Sequence, residues 1–559
     1  MNTSEKELEE RRCDGKPEPP DLDRVFPVEG EPGRHSYGEV MEEAADLVKR
    51  YSGLERGFPD TDTGKLEDCV RTDGFLPEEG MEYGEVMGEV WSSVLSNSVN
   101  VYSQRSAAHL QCPPTVPALA AEVLISGTNQ SMDSYDQAPA ASVLEEGMVN
   151  VFADLFGYQD GSDGVFTGGG TESNLLGLLL ARDRFCEKEF GRDVQSEGLP
   201  RESDTLRVLC SEAAHFTVEQ SCHQLGLGEN AVTAVETDGH GRLDIDVLKR
   251  EIECLESRGL RPFAVVATAG TTDSGAIDAI PGIAGVAENR DIWLHVDAAY
   301  GGACVLSDEL AYKLEGVDRA DSIAVDLHKM FFQPISCGVF LLRDGADYRY
   351  VDRTSKYLNP ESELGSGVPH LAGKSLSTSR RFDALKPYLS FRMLGSEWFA
   401  ETVEYLCRLA SWTADRFAEE SEIEVLNEPE LTSLLYRYRP EKDVEVDIET
   451  DVDGDIETDV DTGGETGGMD PGMDSEGEKL LEYVDEVNRG LRRELVDRGV
   501  LVGRTKVDGV TALKLTFLNP RIRPCDVEEI LEEVRNIGRR FVDRKETDGG
   551  QEASRRREI

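Results

Sequence analysis

From residue 206 to residue 343 the apolar positions gather into short unbroken runs, at 206–210, 231–235, 264–267, 292–296, 323–325 and 338–342. Longer stretches in which apolar and polar residues recur with a helical period part these runs, for example 244–258. Short apolar runs bounded by polar turns are the mark of strands buried on both faces. Strands alternating with amphipathic helices build a mostly parallel sheet covered on both sides. A further run at 164–167 leads into a glycine turn and a helix of strong apolar periodicity through Phe185. The pattern predicts one large α/β domain over 113–395, whose first helices lie at 117–126 and 141–156. Helical spacing at 36–57 (Tyr37, Val40, Met41, Ala44, Val48) and at 78–96 predicts an N-terminal helical segment over 36–112. Beyond 395 the pattern returns to helix and strand, with alternation at 511–517, and predicts a small C-terminal α+β domain over 396–542.

Three stretches carry no such period. Residues 1–35 and 543–559 are polar and charged and are expected to be disordered tails. Residues 440–478 hold the repeat DIETDVDGDIETDVD, which reads as a solvated acidic insert. It lacks the closing glutamate of a Ca²⁺ loop, so no metal is expected there. The Gly/Ser/Pro-rich residues 359–379 are expected to form a mobile loop.

Ligands of such sheets sit at the carboxyl ends of the strands. Four predicted strand ends carry polar residues: SEAAHF with His215, TAGTTDSG with Thr271 and Thr272, HVDAAYGG with Asp297, and DLHK with His328 and Lys329. A lysine between two buried strands is poorly placed for a surface charge, and in a confined pocket it is a usable amine nucleophile that forms an imine with an aldehyde. Gly168, Gly169 and Gly170 precede a helix N-terminus, where free backbone N–H groups and the helix dipole favour a phosphate. The turn is neither a Walker sequence nor GxGxxG. An anion cradle, a buried carboxylate, an imidazole and a lysine are together the parts that pyridoxal phosphate requires. The polar loop NQSMDSYDQAP between two predicted helices is a further candidate for function.

Composition narrows the class. The formal net charge of −51 disfavours nucleic acid, whose phosphates would be repelled, and anionic membrane surfaces. It reads as an acidic coat of the kind that keeps halophilic proteins dissolved in strong salt. The eleven cysteines show no CxxC pair or Cys/His ligand spacing, which fits reduced thiols and argues against a structural zinc. No apolar run is long enough to span a membrane, and MNTSEKELEERR is not a secretory signal, so the reading is a cytoplasmic protein.

The motifs VFTGGGTESN, SEAAHFTVEQ, TAGTTDSGAID, HVDAAYGG, DLHKMF and RRFDALK, in this order, resemble the group II pyridoxal phosphate-dependent amino-acid decarboxylases, the family of the glutamate, aromatic amino-acid and diaminobutyrate decarboxylases. The segments HLQCPPTVPALAAEVLISGTNQSMDSYDQAPA, KYLNP and KSLSTSRRFDALK are most similar to the L-2,4-diaminobutyrate decarboxylases. The resemblance implies the aspartate aminotransferase-like fold type I and an L-amino-acid substrate, most similar to 2,4-diaminobutyrate, with glutamate, aspartate, aromatic or aldehyde-forming variants and a non-catalytic paralogue as alternatives. It implies a homodimer with active sites at the interface. By the same resemblance Lys329 would carry pyridoxal 5'-phosphate, Asp297 would pair with the pyridinium nitrogen, and His215 and Ala299 would lie on opposite ring faces. Gly170, Thr171 and His328 would meet the phosphate, and Thr271 the phosphate or ring. Gln137 would border the substrate, and Asp133 or Asp136 would supply the carboxylate that a substrate amine needs. Several members of the family return a proton from a loop tyrosine, whereas residues 358–387 here contain none. His215, the freed Lys329 or a residue of a partner subunit are the alternatives.

Overall fold

The computed structural model describes residues 31–60, 63–70, 76–352, 369–440 and 475–557. Most of the expected N-terminal tail and of the acidic insert, and residues 359–368 of the expected mobile loop, lie outside the described residues. The described chain forms two compact units, residues 31–55 with 59–100, and residues 56–58 with 101–557.

The first unit is helical. It comprises Glu31–Ser52, Thr63–Val70 and Tyr83–Glu89, the last running on through a π turn at Val90–Val94. The Arg50 guanidinium lies 3.6 Å over the Trp91 ring, and Asn100 Nδ2 donates to the Leu54 carbonyl at 2.7 Å. The unit ends at Asn100, twelve residues before the boundary expected from the sequence. The reason lies just beyond, in a strand of two residues, too short to leave a periodic signal.

The second unit is built on two sheets. The larger has seven strands: β2 (Asp163–Thr167), β3 (Leu206–Ser211), β4 (Val232–Val235), β5 (Arg261–Thr268), β6 (Trp293–Asp297), β7 (Ser322–Asp326) and β8 (Gly338–Leu342). Their order is β2-β8-β7-β6-β5-β3-β4, with β8 alone antiparallel to its neighbours. Every residue of β6, β7 and β8 is buried, which is why these strands read as mainly apolar runs. The strand period of two sorts the side chains. Leu294, Val296, Ile323, Val325, Val339 and Leu341 join one core cluster, while Trp293, Phe340 and Leu342 join another on the opposite face, under the helix Gly170–Phe190. That second face also carries His295, Asp297, Ser322 and Asp326, the polar positions of the same strands.

The smaller sheet has the order β1-β11-β12-β10-β9, from β1 (Ser106–Ala107), β9 (Ile423–Val425), β10 (Ser433–Tyr438), β11 (Leu501–Val507) and β12 (Val510–Thr516). β1 pairs parallel with β11, Ser106 opposite Leu501. Residues 101–112 thus belong with the C-terminal sheet rather than with the N-terminal helices. The last helix is Pro524–Arg557, so residues 543–557 continue a helix where the sequence suggested a tail. Glu, Lys, Arg and Gln extend a helix that is already docked without adding an apolar period.

Candidate active site

The carboxyl ends of β5, β6 and β7 and the turn after β2 meet around a cavity of about 260 Å³. Gly168, Gly169 and Gly170 form its rim, and the helix Gly170–Phe190 starts there. Gly169 has φ +132°, a left-handed conformation that favours glycine. A Cβ on Gly338, the first residue of β8, would lie 2.7 Å from the Gly169 Cα, so the turn packs backbone against backbone. The edge strand β2 is held in place by a buried ion pair. Arg380 Nη2 lies 2.8 Å from Glu145 Oε1, with side-chain exposures of 8 % and 0 %. The pair also serves Phe166, whose N–H donates to Glu145 Oε1 at 3.2 Å and whose carbonyl accepts from Arg380 Nη1 at 3.0 Å. Both backbone groups of an otherwise open edge are thereby satisfied.

β7 ends at Asp326, and the chain turns through Leu327 and His328, whose N–H groups both donate to the Cys337 carbonyl. His328 Nδ1 lies 2.8 Å from that carbonyl, which aims Nε2 at the cavity, 3.7 Å from Asp326 Oδ2. Lys329 Nζ lies 3.0 Å from the same oxygen, and its side chain is 19 % exposed. The lysine therefore sits in a confined pocket opposite a carboxylate.

Asp297, at the end of β6, is 7 % exposed. Its Oδ1 accepts from the Ala299 N–H at 3.1 Å and its Oδ2 from Asn174 Nδ2 at 2.8 Å. His215 lies in the turn after β3, its Nδ1 2.9 Å from Thr217 Oγ1. Burial pulls the His215 imidazole below its ordinary pKa, and Asp297 opposes the shift.

Seven of the eight residues expected around the cofactor line this one cavity: Gly170, Thr171, His215, Asp297, Ala299, His328 and Lys329. Thr271 does not. Its hydroxyl is turned to Ser274 Oγ at 2.8 Å and accepts from the Ala276 N–H at 3.1 Å, while its neighbours Gly270 and Thr272 face the cavity. Parity along an irregular turn cannot be read as it can along a strand. The residues expected near the substrate lie elsewhere in this chain. Asp136 and Gln137 are exposed and bound to Ser134, whose Oγ donates to Asp136 Oδ1 at 2.6 Å and accepts from Gln137 Nε2 at 2.9 Å. Asp133 is half-buried, and its Oδ1 has no hydrogen-bond partner among the described residues.

Sequence reasoning missed Asp326, Asn174, Thr217 and Tyr300, all of which line the cavity. All four stand inside the motifs given above, and an acid three residues before the lysine at a strand end was a usable signal. Asn174 and Thr217 lie inside helices, where a polar residue reads as a solvent-facing position.

The cavity suits a flat ring with an anionic tail. Methyl groups on Gly169 and Gly170 would intrude on its wall, 3.0 Å from His328 Cε1 and 3.3 Å from the Ala299 Cβ respectively. Two buried polar atoms of the cavity lining, Asp326 Oδ1 and Thr268 Oγ1, lack a hydrogen-bond partner among the described residues. These residues fit pyridoxal 5'-phosphate: a lysine for its aldehyde, a buried carboxylate for its ring nitrogen and a helix start for its phosphate.

Comparison with known proteins agrees. Residues 71–439 match the pyridoxal-dependent decarboxylase conserved domain. The chain is 35 % identical over 516 residues to an L-2,4-diaminobutyrate decarboxylase of Acinetobacter baumannii, covering 91 % of this chain and 94 % of that one. It is 36 % identical over 519 residues to the enzyme of the same name from Rhizobium meliloti strain 1021, covering 92 % and 94 %. Among solved structures it resembles the glutamate decarboxylase domain of diaminobutyrate-pyruvate transaminase and L-2,4-diaminobutyrate decarboxylase from Vibrio parahaemolyticus. That match has a TM-score of 0.77 at 34 % identity and covers 92 % of this chain and 98 % of that one. The large domain has fold type I, as these neighbours do. With its lysine, carboxylate and glycine turn gathered at one sheet edge, the chain belongs to the pyridoxal-dependent decarboxylases, carboxy-lyases that act on amino acids with pyridoxal 5'-phosphate as cofactor.

Proposed function

We propose that the chain decarboxylates L-2,4-diaminobutyrate, giving 1,3-diaminopropane and CO₂. The observation that carries the substrate class is the 35 % and 36 % identity, over nine tenths of the chain, to two enzymes named for that activity.

Bound pyridoxal 5'-phosphate supplies an aldehyde for amine exchange and a ring that withdraws electrons from the substrate α-carbon. Lys329 would hold the cofactor through its side-chain amine. Asp297 is fixed by two donated hydrogen bonds, from Ala299 N and Asn174 Nδ2, and keeps a proton on the ring nitrogen. His215 and Ala299, which both line the cavity, would bound the space for the ring. The backbone N–H groups of the glycine turn, with Thr171 and His328, hold the phosphate. Walls of buried side chains keep water from the α-carbon while the carboxylate departs. The proton returned to the α-carbon would come from His215, Lys329 or a residue of a partner subunit.

The distal amine of the substrate calls for a carboxylate. Asp133, with a buried oxygen that lacks a hydrogen-bond partner among the described residues, is the better placed of the two candidates, Asp136 being exposed and bound to Ser134. Neither lines this chain's own cavity, so the reading includes a homodimer in which this loop, with Gln137, serves the site of a second copy. The acidic surface supports a cytoplasmic enzyme of a salt-rich cell.

A coupled CO₂ assay over a panel of L-amino acids in strong salt tests the proposal. The expected result is turnover of diaminobutyrate well above that of ornithine, glutamate, aspartate and tryptophan, with 1,3-diaminopropane as the product. Preference for an acidic or aromatic amino acid, or release of an aldehyde, would overturn the substrate.

A further inference from the structure

On the sheet face covered by the helix Gly170–Phe190, the buried polar side chains form one connected chain of hydrogen bonds. Trp293 Nε1 lies 2.9 Å from Ser322 Oγ, and Ser322 Oγ lies 2.8 Å from His295 Nδ1. His295 Nε2 lies 2.9 Å from Asn174 Oδ1. Asn174 Nδ2 reaches Asp297 Oδ2 at 2.8 Å and Thr217 Oγ1 at 3.0 Å. Thr217 Oγ1 lies 2.9 Å from His215 Nδ1. The inner members, Asn174, Thr217, His295 and Ser322, are all buried.

Elementary donor and acceptor chemistry fixes the direction of every link. An indole N–H can only donate, so Ser322 Oγ accepts from Trp293, and the one acceptor for its own proton among the described residues is His295 Nδ1. A carboxylate can only accept, so Asn174 presents its NH₂ group to Asp297 and its carbonyl to His295. His295 must then carry its proton on Nε2. The two ends of the chain demand the same state of this imidazole: neutral, bare at Nδ1 and protonated at Nε2. The second Nδ2 hydrogen of Asn174 goes to Thr217 Oγ1, which leaves the threonine proton for His215 Nδ1. His215 thus shows its Nε2–H away from Thr217.

We propose that Asn174 is a positioning residue that holds Asp297 and His215 in a single arrangement, and that His295 sets the direction of the Asn174 amide. The inference rests on the reading of Asp297 and His215 as the residues facing the cofactor ring. With no donor at position 295, the Asn174 carbonyl loses the one donor it has among the described residues, and Asp297 and Thr217 alone hold the amide in its orientation. Rotated by half a turn, it would set its carbonyl oxygen against the Asp297 carboxylate, two acceptors at hydrogen-bond distance. Gly177 completes the device. A Cβ there would lie 2.6 Å from His295 Nδ1, so the ring rests on bare helix backbone. Gly177→Ala displaces His295 while leaving every polar group in place.

The first test needs no variant. Nitrogen NMR of the eight histidines in the cofactor-free protein, with His295→Gln for assignment, should show one imidazole protonated at Nε2 only, unchanged between pH 7.5 and 5.5. A charged ring, or a proton on Nδ1, overturns the proposal. The second test is the equilibrium affinity for pyridoxal 5'-phosphate and the pH midpoint of the visible absorption of the loaded protein. Gln at 295 can still donate to Asn174, so His295→Gln should stay within about threefold of the parent. His295→Phe, Gly177→Ala and Asn174→Leu should each weaken binding about tenfold or more and move the pH midpoint, as Asp297→Ala does. Equal losses in His295→Gln and His295→Phe, tracking their melting temperatures, would mean that position 295 acts through packing alone and would overturn the proposal. If Asp297→Ala itself changes neither affinity nor spectrum, the role of Asp297 fails, and the NMR result still decides the hydrogen-bond chain separately.

Discussion

The Asp326 carboxylate faces the Lys329 ammonium at 3.0 Å, and its other oxygen is buried without a hydrogen-bond partner among the described residues. In the cofactor-free protein it is therefore the counter-ion of the one amine that must become free to react. Removing one member of a buried ion pair strands the other. Asp326→Asn should destabilise the cofactor-free protein by about 2 kcal/mol, since the lysine keeps partial access to water. In a Lys329→Ala background the same change should cost much less. A thermodynamic cycle from urea melts gives the coupling, and a coupling near zero would mean the pair carries no stability.

Covalent attachment through Lys329 has a direct readout. Lys329→Ala should lose the yellow absorbance of the loaded protein and its fixation by borohydride, with decarboxylation reduced about a thousandfold or more. Retention of borohydride-fixed cofactor on another residue would contradict the assignment.

The Arg380–Glu145 pair anchors the edge of the large sheet next to the glycine turn. Either Arg380→Ala or Glu145→Ala should cost about 3–5 kcal/mol, because each leaves a buried charge and unpaired backbone groups of Phe166. The loss appears as a lower denaturant midpoint. A shift under 1 kcal/mol would show that β2 is held by packing instead.

Acid should weaken the fold through two imidazoles. Burial lowers both His215 and His295 below the ordinary value of 6.5, His295 to about 4, with Asp297 opposing in each case. Between those values the unfolded chain binds the proton and the folded chain does not. This contribution is whole above pH 6.5 and shrinks as the pH falls toward 4. At about 1.4 kcal/mol per unit, His295 accounts for on the order of 3 kcal/mol. Urea midpoints at fixed salt should fall less steeply with acidification in His295→Gln than in the parent, and parallel curves would refute the assignment.

The formal charge of −51 makes ionic strength a stability variable. Dilution from molar salt into low salt should unfold or inactivate the protein, followed by circular dichroism and CO₂ release. Full activity without added salt would remove the argument for a salt-rich habitat.

Strands buried on both faces were legible because burial leaves little room for polar residues, so β8 stood out as an unbroken apolar run and β6 and β7 as mainly apolar ones. Lys329, Asp297 and His215 were legible because a polar residue at the end of such a run is conspicuous. Asn174 was not, since a helix with one face on a sheet carries polar residues on its other faces and nothing in the period distinguishes a buried amide from an exposed one. Thr271 and Thr272 differ by one position in an irregular turn, where only coordinates tell which side chain faces inward. β1 was hidden for a different reason: two residues have no period, and their partners lie almost four hundred positions away.

That last pairing orders events during synthesis. The seven strands of the large sheet have all been synthesised once residue 342 is made, whereas Ser106 and Ala107 must wait for Leu501 and Val502. A nascent polypeptide halted before position 501 would thus carry a finished cofactor-binding sheet beside an orphaned ribbon, a hazard that a folding helper would have to shield until termination.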